Sequence, residues 1–498
     1  MTWVIGADLG TSGCKAAVYD ADGKEIASNI QTYETYYPQP GFHEQSLDDW
    51  WSAVCAAISD LVEQVGESAS KIRAISLSGQ SLALIPLGTD GAPLVDRVPI
   101  WSDTRAHQES ADFFSVEDEA AWYTRTGNGF PAPLYTLFKV MWLRNHQPEV
   151  FARTTTIIGS KDWINYRFTG EIMTDPSYAS GLGAFDLSTG AYAPDLLKSA
   201  GLTPELFPPI IASTARVGQM RSEIATDLGL HGPIDVIAGG VDNSCMALGA
   251  LNISPGRMYA ALGSSSWLTL CGREPILDES LRPFVFAHVI PGLFNSAVST
   301  FASGTSISFV ADTFFPELKG DIDAMVGLAL SVPVGAGGLV FVPTINGGTV
   351  FEGGPDVRGS LVGLSGSHTK AHIARAVIEA IPMALRRPLD RLRDLTTVDS
   401  TMMVTGGGAR SSPWLQLYAD IVGQRLVRTT VDQQAATLGA AALAFVGTGV
   451  WDSFEQIEKA HQNPETFEPE VSRTKQYESD VLPRFAAAAR HAIELSSL

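Results

Sequence analysis

Four short segments hold residue types that can do phosphate, proton and sugar chemistry. Asp8-Leu9-Gly10-Thr11-Ser12 offers a carboxylate, two hydroxyls and backbone N–H groups, with Lys15 close by as a cation. Such a turn is either a polyphosphate grip, with Asp8 holding a magnesium ion indirectly, or an ordinary glycine turn. Asp242-Asn243 follows Gly239-Gly240-Val241 and opens a run of small residues that reads as a helix from Ser244. A carboxylate there is kept ionised by the helix N-terminus and suits a base that takes a proton from a hydroxyl nucleophile. A plain N-cap aspartate explains the same residue. Gly406-Gly407-Gly408-Ala409-Arg410 lies between a strand at Thr401 to Thr405 and a helix opened by Ser411-Ser412-Pro413, with proline expected at the first helical position. A glycine loop in that place lets a flat ring or a phosphate approach the backbone, or is a tight turn with no ligand. Trp101-Ser102-Asp103-Thr104-Arg105 combines an aromatic plate, a carboxylate and a guanidinium, as sugar sites and many surface clusters do.

Other arrangements fail on their spacing. The glycine loop does not fit GxGxxG with its partner acid, and no GxxxxGK[ST] occurs, so neither a dinucleotide fold nor a P-loop is expected. Gly79-Gln80-Ser81-Leu82-Ala83 approximates a serine nucleophile elbow but lacks the last glycine and a long following helix. His368 and His372 have helical metal-ligand spacing without the glutamate of HExxH, which favours a capped, partly exposed pair. Cys14, Cys55, Cys245 and Cys271 are far apart and read as reduced thiols of a cytoplasmic protein.

These segments need a frame. Val4 to Asp8 and Lys15 to Asp20 read as strands of a hairpin, and Asp22-Gly23 turns into a third strand at Glu25 to Asn29. Ser46 with Asp49 marks a capped helix whose Leu47, Trp50, Val54, Ile58 and Leu61 share a face. Ile72 to Ser78 is a further strand, and the prolines at 204, 208 and 209 mark a loop. Beyond Asn252 the pattern restarts, which divides the chain into 1–252 and 253–498. The tail from about Phe467 is charged, then alanine-rich and helical. Leu262-Gly263-Ser264-Ser265 echoes Leu9-Gly10-Thr11-Ser12, each between apolar strands, so the halves read as copies of one α/β unit with facing turns.

Length and composition bound the class. A chain of 498 residues, 45% hydrophobic and 18% charged, is expected to form two domains with sizeable cores. Its net charge of -20 disfavours nucleic acid and anionic membranes as partners. No apolar run approaches the roughly 18 residues of a membrane span. The start, with no basic region and an aspartate at position 8, does not read as a signal peptide.

Taken together, the segments resemble the FGGY family of carbohydrate kinases, within the actin-like ATPase superfamily. The resemblance runs in order through DLGTSGCK at the start, SGQ at 78–80, WSDTR at 101–105 and KVMWL at 139–143. It continues through Lys161-Asp162-Trp163, GGVDN at 239–243, LGSSS at 262–266, the stretches 359–364 and 372–379, and GGGARS at 406–411. It implies two RNase H-like α/β domains clamping ATP–Mg²⁺ and an open-chain sugar in the cleft between them. Asp242 would be the catalytic base and Asn243 a substrate contact, with Trp101, Asp103, Ser81 and Leu82 lining the sugar side. Asp8 would orient Mg²⁺ through water, with Gly10, Thr11, Ser12 and Lys15 around the γ-phosphate. Gly263 and Ser264 would form the second phosphate turn. Gly304 and Ser308 would touch the nucleotide, and Gly407, Gly408 and Ser411 would lie along the adenosine. Phosphoryl transfer asks mainly for in-line positioning, so an aspartate of ordinary pKa, about 4, is expected to suffice as base. Relatives are often homodimers, while this sequence defines no interface.

Within the family the chain resembles the xylulokinase branch, through its length, Thr126-Gly127-Asn128 and Trp142-Leu143-Arg144 with His146 and Pro148-Glu149. Bacterial xylulokinases usually carry Met-His after the Gly-Gln, and glycerol kinases Arg-Glu; here Ser81-Leu82 stands there. D-xylulose is the best single expectation, with another ketose, a polyol or a sugar acid as alternatives. A chaperone- or actin-like ATPase module and a non-catalytic sugar sensor are the readings from other classes.

Overall fold

Every residue of the first strand, Trp3–Leu9, is buried except Asp8 near its end, as expected of a strand covered on both faces. The computed structural model describes residues 2–301, 303–431 and 434–497. Trp3–Leu9 pairs antiparallel with Gly13–Tyr19, which pairs antiparallel with Glu25–Thr32, a strand three residues longer than its pattern indicates. On its other side lies Ile72–Gly79, parallel, and beyond it Asp235–Val241, also parallel, with Arg216–Gln219 at the edge. The second sheet repeats this plan. Met258–Leu262, Ser266–Gly272 and Phe294–Thr300 form the antiparallel meander, and Thr401–Thr405 and Arg425–Arg428 add on in parallel. Phe284–Ala287 and Glu465–Phe467 extend its two edges. Both sheets therefore contain the five-strand order 3-2-1-4-5, the duplicated α/β unit that the sequence echo predicts.

The helix Leu47–Val65 starts as its capping residues indicate, with Ser46 Oγ accepting from the Asp49 N–H and Trp50, Val54, Ile58 and Leu61 buried. Pro413 stands at the second rather than the first position of the helix Ser412–Val422. The helix expected from Ser244 begins two residues earlier and spans Asp242–Gly249. The alanine-rich tail forms Leu482–Ser496.

Between the strands Ile72–Gly79 and Asp235–Val241 a lobe is inserted with its own core, including Leu84, Phe113, Trp122, Tyr135 and Phe138. The halves are joined by two helices. Ala435–Gly447, late in the chain, packs on the first sheet, where Thr437 Oγ1 and Tyr19 Oη lie 2.7 Å apart. It crosses Asp242–Gly249 at backbone contact: a Cβ on Gly249 would lie 1.8 Å from Ala435 O, and one on Gly439 would lie 1.9 Å from Cys245 O.

Candidate active site

Asp8 and Lys15 are directly opposed across the first hairpin and so share a face of the sheet, and Ser78 Oγ donates to Asp8 Oδ1 at 2.6 Å. The turn closes with Gly10 N donating to Gly13 O at 3.0 Å, leaving Thr11 and Ser12 exposed at its tip. Its carbonyls are held from behind. Gln45 Nε2 donates to Thr11 O at 2.7 Å, Gln80 N to Leu9 O at 2.8 Å, and Gln80 Nε2 bonds Gln45 Oε1 at 2.7 Å. Trp101, exposed, donates its Nε1 to Thr11 Oγ1 at 2.9 Å and so ties the WSDTR loop to the turn.

Asp242 is the first residue of its helix. The N-cap position belongs to Val241 and no side chain caps this end, so the plain N-cap explanation of Asp242 does not hold. Asp242 Oδ1 accepts from Asn243 N at 2.8 Å and Asn243 Nδ2 at 3.2 Å, while Asn243 Oδ1 is buried with no partner among the described residues. The expectation of an ordinary pKa fails. Burial, and then the negative charge of Asp8, push Asp242 up to about 7, against the smaller opposing effect of the Asn243 bonds. Asp8 is raised as well, by burial, with Ser78 and Lys15 pulling it down. A carboxylate raised by burial and by the charge of a second carboxylate is what a cation would relieve.

Of the four residues expected on the sugar side, Trp101 borders the turn, while the others sit deeper. Both oxygens of Asp103 are taken, by the Arg105 guanidinium and by His43 N at 2.7 Å, and Arg105 also pairs with Glu44. Asp103 thus fastens the loop that presents Trp101. Ser81 and Leu82 are buried, and Leu82 lines a small cavity with Tyr178 and Asp162. Leu82 has φ 62°, a costly conformation for a branched side chain. Its carbonyl is held by the ammonium of buried Lys139 at 3.0 Å, which also donates to Ile100 O at 2.6 Å. Sequence reasoning noted Lys139 only inside a motif. Burial lowers its pKa to about 7, against the opposing pull of Asp103.

On the C-terminal side, Gly263, Gly304, Ser308, Gly407, Gly408 and Ser411 line one cavity of about 260 Å³. Ser264 lies next to it, its carbonyl accepting from Thr305 N at 3.1 Å. A Cβ on Gly304 would stand 2.5 Å from Gly263 O, so only glycine lets this helix start touch the second turn. Ile307, Leu262 and Trp414 supply apolar walls, and Asp321 and Asp323 add carboxylates that no sequence motif marked. Ser411 Oγ is buried and unbonded among the described residues. Two glycine-rich turns, an apolar slot and an unsatisfied hydroxyl suit a nucleotide.

Family models for the N-terminal and C-terminal domains of the FGGY family of carbohydrate kinases match residues 3–249 and 258–448. The chain belongs to the FGGY family of carbohydrate kinases. It is an ATP-dependent sugar phosphotransferase with the actin-like ATPase fold. It is 31% identical to a xylulose kinase of Staphylococcus epidermidis over 476 residues, covering 95% of this chain and 94% of that one. To the xylulose kinase of Bacillus subtilis it is 29% identical over 483 residues, 96% and 95% of the two chains. The crystal structure of a ligand-bound xylulose kinase from Lactobacillus acidophilus superposes with a TM-score of 0.91 at 27% identity, covering 99% and 98% of the two chains. A gluconate kinase structure from the same organism gives 0.90 at 27% over the same shares. In this FGGY kinase His372 shares a capping box with Thr369 at the start of Lys370–Leu395, with its ring 5.2 Å from that of His368. Among the described residues, no cluster of three or more His, Cys, Asp or Glu side chains is placed to hold a metal, and no helix is long and apolar enough to cross a membrane.

Proposed function

We propose that this kinase transfers the γ-phosphate of ATP to the 5-hydroxyl of D-xylulose, with Asp242 as the base. The observation that carries the reading is the placement of Asp242 at a helix start, at the end of a strand in the same sheet as Asp8, where burial and then the charge of Asp8 hold it near pKa 7. Asp242 takes the proton of the acceptor hydroxyl as its oxygen bonds the γ-phosphorus. The bond from that phosphorus to the β–γ bridging oxygen breaks, and ADP leaves. A pKa near 7 makes the carboxylate a stronger base than an ordinary aspartate and leaves much of it ionised at neutral pH. The raised Asp8 and Asp242 fit a divalent cation, which Asp8 would hold through water. Bound there, Mg²⁺ neutralises the phosphate charge. Thr11, Ser12 and Lys15 would receive the γ-phosphate, and the pocket from Gly263 to Ser411 the rest of the nucleotide. The units 1–252 and 253–498 would act as acceptor and donor halves.

Gluconate is the second reading, because a gluconate kinase superposes as well as a xylulose kinase. Against it, the Arg105 guanidinium behind the Trp101 loop is already committed to Asp103 and Glu44, so it offers no free charge for a sugar carboxylate. An ADP-release assay over D-xylulose, other ketopentoses, D-gluconate, polyols and glycerol, with a no-sugar control, decides. Stimulation by D-xylulose above all others is expected. Preference for gluconate, or turnover independent of sugar, overturns the assignment.

A further inference from the structure

The strand that delivers Asp242 carries a bulge just before it. Opposite Leu77 of the neighbouring parallel strand stand two residues, Ala238 and Gly239, where one would keep the register. Bulges of this kind bend the strand and re-aim the side chains beyond them. Gly239 has φ 77°, and a Cβ there would sit 1.9 Å from Leu77 O. Buried side chains take up the backbone groups around the bulge. Ala238 O accepts from Lys161 Nζ at 3.2 Å and from Asn165 Nδ2 at 2.9 Å. On the far side, Val241 N donates to Ser177 Oγ at 2.9 Å.

The two sides are connected. Lys161 Nζ lies 2.6 Å from Asp162 Oδ1 and 3.0 Å from Asp175 Oδ1. Asp175 Oδ2 accepts from Ser177 Oγ at 2.5 Å and from Ser213 Oγ at 2.8 Å, and the Ser213 carbonyl takes the Gly239 N–H at 3.1 Å. Ser177 has one hydroxyl proton, which goes to Asp175, so its lone pair faces Val241 N. Lys161, Asp162, Asp175 and Ser177 are all buried. Buried ion pairs contribute little to stability compared with apolar packing of the same volume, so the worth of this one lies in the geometry it imposes.

Resting on the reading of Asp242 as the base, we propose that Lys161, Asp175 and Ser177 are positioning residues that hold the bulge and thereby aim the Asp242 carboxylate at the acceptor hydroxyl. They touch neither substrate. Ser177→Ala removes the acceptor for Val241 N–H and the hydroxyl donor to Asp175, and leaves the charges of Lys161 and Asp175 in place. Asp175→Asn keeps an oxygen for the two serines and removes the charge facing Lys161. In each variant ADP and sugar phosphate are measured separately, with D-xylulose as acceptor, or D-gluconate should that be the better one. A misaimed base is expected to lower kcat for transfer about tenfold, leave KM for ATP unchanged, and raise the ratio of ADP to sugar phosphate above the wild-type value, because water still attacks the held ATP. Loss of folded protein alone lowers both products together at an unchanged ratio, and that result overturns the proposal. So does a wild-type kcat and ratio in Ser177→Ala. Asp242→Asn run in parallel separates the two claims: transfer retained there removes the base assignment itself, whereas transfer lost there but intact in Ser177→Ala removes only the positioning role.

Discussion

In the N-terminal hairpin, side chains from outside the turn hold its carbonyls: Gln45 and Gln80 bond Thr11 O and Gly10 O, and Trp101 reaches Thr11 Oγ1. The C-terminal hairpin is held from one neighbouring helix start: Gly304 N and Ser303 Oγ donate to Gly263 O at 3.1 and 3.2 Å, and Thr305 N and Oγ1 to Ser264 O at 3.1 and 3.3 Å. Ionisable groups follow the same division. Asp8 and Asp242, both with raised pKa values, belong to the first half, and the second turn is a run of glycine and serine. On the proposed reading, one α/β plan serves two uses, with proton and charge handling on the acceptor side and close backbone approach on the donor side.

That division predicts what each substitution should break. The largest effect is expected from Asp242→Asn, which should lower kcat on the order of a thousandfold with KM for ATP nearly unchanged. Next comes the donor side. Gly304→Val would drive a side chain against Gly263 O, and overpacking of this kind costs about 1–3 kcal/mol, so KM for ATP should rise roughly tenfold or more while the sugar KM stays. A rise in sugar KM instead would erase the distinction between the halves. The pH profile sharpens it further. If Asp242 is the base, as proposed, it acts only when ionised, so kcat/KM should climb with pH up to about 7 and then level, and that limb should vanish in Asp242→Asn.

The smallest effect is on stability, in the unliganded protein. The folded-state pKa of Asp242 is raised, so the folded form holds its proton more tightly than the unfolded chain does. Stability is therefore lost as pH rises from the unfolded value of about 4 through about 7. Asp242→Asn should accordingly raise Tm by a few degrees at pH 8 and by progressively less toward pH 4. An equal shift at both pH values would mean that carboxylate burial is not the cause.

Much of this was legible in the sequence because turns and caps are local. The echo of Leu9-Gly10-Thr11-Ser12 at 262–265 gives away the duplication, and glycines far apart in sequence converge on one pocket, with Gly304 at a close backbone approach to Gly263. Asp103 shows where local reading stops. Its type and place suggest a sugar ligand, yet His43 and Arg105 consume its oxygens, and His43 comes from 60 residues away. The pKa of Asp242 was out of reach for the same reason, since it depends on burial and on Asp8, 234 positions earlier. Lys139 and Lys161 enter the sequence reading only inside motifs, because their burial comes from tertiary structure, which encloses one among carbonyls and the other between two carboxylates.

At the glycine crossing of the two joining helices, backbone lies against backbone at Gly249 and Gly439, and one added methyl would act as a wedge. Were the halves to rotate against each other about this point, it would serve as the fulcrum. Asp242 lies on the same helix, seven residues from Gly249 and so about 10 Å along the axis. The glycine-lined nucleotide pocket hangs on the other arm of the lever. Rotation about the crossing would then carry the donor arm through a wide arc while the base beside the pivot stays nearly still, so the aim of Asp242 would be set before the cleft shuts.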